Sequence, residues 1–158
     1  MTAISLCLGG SKESMSKRIE ALKRVGVGHF VLTGFESEIL FMKSLIPKED
    51  ITGYAYSYDT LSNFERCSKA LHDADTIVLA TSPLHWERVK LIISRKFPEI
   101  QEKVQWVDSH EEETKYANLG LLIYRIFGPK LLQKVSIITR WKMFKWEYRI
   151  PRRRDRFD

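Results

Sequence analysis

The amino-acid sequence predicts an α/β fold, a mostly parallel sheet of about five strands with helices on both faces. Three observations carry that expectation. Short apolar runs alternate about four times with segments of three-to-four periodicity. The connections between them are short, as right-handed crossovers in one sheet require. Glycine, proline and helix-capping residues stand at the boundaries. One domain is expected over residues 1–150, with its core at 3–128, followed by a basic tail at 151–158.

Taken in order, Ala3–Leu8 reads as a buried strand ended by Gly9-Gly10. Ser11–Val25 is helical, because Met15, Ile19, Leu22 and Val25 keep the spacing of an inward face. Gly26 and Gly28 stop it. His29–Thr33 is the second strand, Gly34-Phe35-Glu36 the turn and Ser37–Leu45 the second helix, which Pro47 closes. Thr52–Tyr56 alternates and makes a third strand, and Asp59 or Thr60 opens a helix running to about His72. Asp75–Ala80 is the clearest fully buried strand. Ser82 suits an N-cap and Pro83 the first position of a helix reaching about Lys96. Val104–Val107 is a short fifth strand, and Asn118–Phe127 an apolar helix ended by Gly128-Pro129. Lys130–Tyr148 is read as one or two helices, and Pro151–Asp158 as a frayed end.

With 44% hydrophobic and 29% charged residues, the chain is an ordinary globular one, which excludes a disordered protein. No stretch approaches the ~20 apolar residues that span a bilayer. Met1–Leu8 lacks the basic residues of a signal peptide, and Gly9-Gly10-Ser11 follows too soon, so a cytoplasmic location is expected. Cys7 and Cys67 lie in apolar surroundings without a partner at metal spacing, and are read as buried free thiols. His29, His72 and His110 fit no ligand spacing, so no metal is expected. The net charge of +6 is unevenly placed: from Arg140 onward eight basic residues face three acids, a net +5. The high pI therefore belongs to the tail.

In an open parallel sheet, ligands bind beyond the carboxyl ends of the strands. The first strand-to-helix junction offers Gly9, Gly10 and Ser11, and the second Thr33, Gly34 and Glu36, with Glu38 one turn further. The third offers Asp59, Thr60 and Asn63, and the fourth Thr81, Ser82, His85 and Arg88. Helix amino-termini at such a rim favour an anion. Each piece alone has a plainer explanation. Gly9-Gly10 lacks the third glycine of a dinucleotide fingerprint and a P-loop lysine, and reads equally as a tight turn. Asp59, Thr60 and Ser82 serve as caps, while Arg18, or His85 with Arg88, suits a solvated helix face.

The four junctions in this order resemble the signature blocks of one family of bacterial proteins, the YdcF, SanA and ElyC type. The blocks are Leu8-Gly9-Gly10 with a downstream Arg18; Val31-Leu32-Thr33-Gly34 with a downstream Glu38; Asp59-Thr60-Leu61-Ser62-Asn63; and Val78–Arg88, with its Thr-Ser-x-x-His-x-x-Arg pattern. The resemblance covers roughly Ile4–Leu91. It implies a three-layer, Rossmann-like fold, a link to envelope metabolism and, from one branch, S-adenosylmethionine as a ligand. By position, the pocket would use Gly9, Gly10, Arg18, Thr33, Gly34, Glu38, Thr60, Asn63, Thr81, Ser82, His85 and Arg88. The chain departs from the pattern at Phe35, where a glycine is usual, at Ile39, where a small residue is usual, and at Asp59, where the family has serine.

The function expected is binding of a small polar or anionic molecule at the strand ends: nucleotide-like, S-adenosylmethionine-like or phosphorylated. Arg18 and Arg88 would recognise a phosphate or carboxylate. His85, with Glu38 or Asp59 to orient it, would serve as general acid or base in a transferase or hydrolase. A second reading is a non-enzymatic protein docking on RNA or an anionic membrane through residues 140–156. There Trp141, Phe144, Trp146 and Tyr148 interleave with Lys142, Lys145 and Arg149 ahead of Arg152-Arg153-Arg154.

Overall fold

The computed structural model describes residues 2–113, 117–128 and 156–157. Within them, β1 (Ala3–Leu8), β2 (Phe30–Gly34), β3 (Ile51–Tyr56), β4 (Thr76–Thr81) and β5 (Val104–Asp108) form one parallel sheet. Helices α1 (Lys12–Val25), α2 (Glu36–Leu45), α3 (Thr60–Asp73) and α4 (Pro83–Lys96) connect successive strands, and α5 (Ala117–Phe127) follows β5. The spatial order is β5-β4-β1-β2-β3, so the chain winds outward from β1 in one direction and then restarts on its other side. The two windings diverge beside β1, which opens a crevice at the carboxyl ends of β1 and β4.

Alternation along the strands sorts the core into two layers. Ile4, Leu6, Leu8, Ile77 and Leu79 point to one face, where Leu61 and Phe64 of α3 and Val89 and Ile92 of α4 cover them. Cys7, Leu32, Val78 and Ala80 point to the other, against Met15, Ile19 and Leu22 of α1 and Ile39 and Met42 of α2. The architecture is thus three-layered, as expected. Burying each leucine or isoleucine of this set contributes roughly 1.5–3 kcal/mol relative to exposure.

Local signals place the ends of the elements. Gly26 closes α1 at φ +81°, a left-handed conformation, and donates to the Leu22 and Lys23 carbonyls. Pro83 opens α4 at its first position. Two short 3-10 turns, Lys48–Asp50 and Pro98–Lys103, precede β3 and β5; each follows or begins at a proline that blocks helix continuation. A sixth strand, β6 (Arg156–Phe157), pairs antiparallel with Tyr54 and Gly53 of β3. These two residues, expected to lie in a frayed end, are instead a strand because they pair with backbone groups on the outer edge of β3. Lys130–Tyr148, the aromatic residues Trp141, Phe144, Trp146 and Tyr148, and the Arg152-Arg153-Arg154 run lie outside the described residues. Among the described residues, no helix is long and apolar enough to cross a membrane.

Candidate binding site at the strand ends

A cavity of about 260 Å³ sits over the crevice. Ten of the twelve residues singled out by position line it: Gly9, Gly10, Arg18, Gly34, Glu38, Thr60, Asn63, Ser82, His85 and Arg88. They come from four junctions separated by up to 79 positions, brought together because every parallel strand ends on the same rim. The other two, Thr33 and Thr81, are fully buried beneath it. The Thr33 hydroxyl donates to the Cys7 carbonyl at 3.2 Å, which links β2 to β1. Thr81 reaches the site through His85.

The floor is where backbone segments meet. A Cβ on Gly9 would run into the Glu38 carboxylate and lie 3.0 Å from the Gly34 Cα. Gly34 adopts φ +150°, and a Cβ there would lie 3.1 Å from the Gly9 Cα. Glycine at both positions is therefore a packing requirement of the β1 and β2 ends. The Glu38 carboxylate accepts from the Phe35 N–H at 2.7 Å and so holds the β2–α2 turn.

Arg18 is buried and fully engaged. Its Nε and Nη2 donate to the two oxygens of Glu111 at 2.7 and 2.6 Å, and its Nη1 to the carbonyls of Leu8 and Gly9 at 3.1 and 3.0 Å. The side chains of this bidentate pair are 6% and 5% exposed, so each charge depends on the other for solvation. Arg18 clamps the carboxyl end of β1 to the segment after β5. The Ser109 hydroxyl also donates to Glu111, at 3.0 Å. Between them His110 takes a positive φ of 52°, which turns the chain between these two inward-reaching side chains.

His85 lies between two hydroxyls. Its Nδ1 is 2.7 Å from Thr81 Oγ1 and 3.4 Å from Arg18 Nη2, and its Nε2 is 3.2 Å from Thr60 Oγ1. A guanidinium has no acceptor, so a bond from Arg18 uses Nδ1 as its acceptor and is made by the tautomer that carries its proton on Nε2, facing Thr60. Loss of water around the ring, reinforced by the positive charges of Arg88 and Arg18, holds its pKa well below the ordinary histidine value. The imidazole is neutral at pH 7. The carboxylates expected to orient it are engaged elsewhere: Asp59 accepts from the Ser62 N–H at 2.7 Å, and Glu38 from Phe35. Threonine hydroxyls do that work.

The helix caps divide between architecture and site. Ser11 caps α1 by accepting from the Ser14 N–H at 3.1 Å. Asp59 and Ser62 cap α3 reciprocally, with Ser62 Oγ taking the Asp59 N–H at 3.0 Å. The second Asp59 oxygen, Oδ2, is buried in the cavity wall with no hydrogen-bond partner among the described residues. Ser82 occupies the N-cap position of α4, yet its side chain does not cap. Its hydroxyl donates to Glu113 at 3.0 Å, and Glu113 itself takes the Leu84 N–H at 2.7 Å. Asn63 accepts from the Ser57 hydroxyl, which leaves its amide NH2 as a remaining donor.

Residues absent from the sequence-based set also line the cavity: Ser57, Tyr58, Glu111, Glu112 and Glu113 among them. The three glutamates follow β5, the fifth strand, whose carboxyl end obeys the same rule as the other four. Extending the junction survey to Asp108–Glu113 would have found them. Cys7 is buried under α1, and burial pushes its thiol up to about 12, partly offset by Arg18, so it is an inert core residue. Among the described residues, no group of three metal-ligating side chains is assembled. No protein-family model, curated protein or solved structure matches the chain.

Proposed function

We propose that the protein binds a small polar molecule of about nucleoside size in this cavity, with S-adenosylmethionine and nucleotides the first classes to try. The carrying observation is convergence: hydrogen-bonding groups from four separate junctions line one cavity at the topological switch point. A volume of about 260 Å³ lies near the lower end of small-molecule sites, roughly 300–1,000 Å³, which favours a compact ligand over a dinucleotide. The buried Asp59 Oδ2 suits a ligand hydroxyl or amine, such as a ribose would bring. The same four blocks carry the resemblance to the YdcF, SanA and ElyC type, which supports this ligand class. His85 takes part as a neutral N–H donor beside Thr60 rather than as a ready proton acceptor, so the reading is of binding first and of transferase or hydrolase chemistry second. The unbridged Cys7 and Cys67 suit a cytoplasmic location.

The test is a thermal-shift screen with S-adenosylmethionine, nucleosides, nucleotides, sugar nucleotides and phosphorylated sugars. A ligand present at ~100 times its Kd adds about 2.7 kcal/mol. At about 2–4 °C per kcal/mol for a chain of this size, Tm should rise by roughly 5–11 °C. The shift should vanish in a His85→Ala/Arg88→Ala double variant. A panel that moves the Tm of neither protein refutes the reading.

A further inference from the structure

We propose that Glu113, with Glu111 behind it, sets the charge selectivity of the cavity, admitting a neutral or cationic polar ligand and refusing a phosphate group. The proposal rests on the binding-site reading above and narrows its ligand class. Sites at parallel strand ends hold phosphates with two devices, a helix amino-terminus and an arginine. Here the start of α4 and Arg18, one of the two arginines in the wall, are already met by the protein's own carboxylates. Glu113 spans the start of α4, accepting from the Leu84 N–H at 2.7 Å and the Ser82 hydroxyl at 3.0 Å. Glu111 covers Arg18 with two bonds of 2.6 and 2.7 Å.

Two further observations agree. Five carboxylates line the cavity (Glu38, Asp59, Glu111, Glu112 and Glu113) against two guanidiniums, so its wall is net acidic while the whole chain is net basic. Two buried atoms of lining residues have no hydrogen-bond partner among the described residues, the acceptor Asp59 Oδ2 and the donor Arg88 Nε, so the pair suits a neutral polar ligand that offers both a donor and an acceptor. A phosphate seeking the α4 terminus must displace Glu113, and it would then stand beside the carboxylate it displaced.

The experiment titrates inorganic phosphate by calorimetry, at low ionic strength, into the native protein, Glu113→Gln and Glu113→Ala. Glu113→Ala should bind phosphate at least tenfold more tightly than the native protein, because no tethered carboxylate competes for charge-assisted bonds. Glu113→Gln keeps an oxygen for the Leu84 N–H, which preserves the helix cap, and should fall between the two. Equal phosphate affinity in all three proteins, or binding by none, overturns the proposal. S-adenosylmethionine and adenosine are titrated into the native protein in parallel. Their binding together with an unchanged phosphate response removes the selectivity role and leaves the site. A gain in phosphate binding with no ligand found for the native protein does the opposite.

Discussion

The buried Arg18–Glu111 pair gives the sharpest stability prediction. Replacing Glu111 by leucine removes the carboxylate acceptors of Nε and Nη2 while Nη1 keeps the Leu8 and Gly9 carbonyls. What remains is a guanidinium that is 6% exposed with no countercharge in direct contact among the described residues. Breaking such a pair from one side costs about 3–5 kcal/mol, consistent with two charge-assisted hydrogen bonds at roughly 1.5–3 kcal/mol each. At about 2–4 °C per kcal/mol, Tm should fall by roughly 6–20 °C. Arg18→Met should cost a comparable amount, because among the described residues it leaves the carboxylate with the Ser109 hydroxyl as its remaining hydrogen bond. The assay is urea unfolding of the native protein, both single variants and the Arg18→Met/Glu111→Leu double variant. The double variant should be more stable than the sum of the single losses predicts, by ~1 kcal/mol or more, since neither charge is then left alone. Additivity within ~0.5 kcal/mol would refute the claim that each residue depends on the other for solvation.

Two more outcomes follow from the site. The folded-state pKa of His85 is depressed, so in acid the unfolded chain binds its proton more readily than the native one. The stability tied to its neutral form is fully present above the unfolded value of ~6.5 and is lost as pH falls below it. Nitrogen-detected NMR should show the native ring still neutral, protonated on Nε2, at pH 6. His85→Phe should flatten the acid limb of the stability profile, and a ring that titrates with an ordinary midpoint would contradict the assignment. Separately, Gly9→Ala should destabilise by about 1–3 kcal/mol through overlap with Glu38 and Gly34, in the range of overpacked cores. Gly10→Ala should cost less, because its nearest obstacle is the Arg18 Nη1 atom at 3.2 Å. Equal chemical-denaturation midpoints for these two variants would count against the close β1–β2 approach.

Much of the fold was legible because its signals are local. Met15, Ile19 and Leu22 mark the inward face of α1 and are buried, whereas Val25, assigned to the same face, is 46% exposed in the last turn before Gly26. Pro83 and Gly26 mark ends for steric reasons that need no distant partner. The site was legible in outline for a topological reason: parallel strands all end on one rim, so residues just after them converge whatever their separation in sequence. What each residue does there was less so. Arg18 reads from sequence as a ligand-binding or solvated side chain, and the structure gives its four closest bonds to Glu111 and two carbonyls. Ser82 reads as a cap, yet its hydroxyl is drawn to Glu113, 31 positions away.

The sequence by itself determined the alternation of strands and helices, their ends and the rim on which polar groups gather. Periodicity, glycine conformations and proline sterics act over a few residues, so they survive being read one segment at a time. Only the tertiary structure decided which charges meet. It set the acidic residues after β5 against Arg18 and the start of α4, and enclosed His85 between Thr60 and Thr81. Apart from the His85–Thr81 contact, four positions apart in sequence, these partnerships depend on distance and burial across 25 to 93 positions of chain, and no local pattern encodes either.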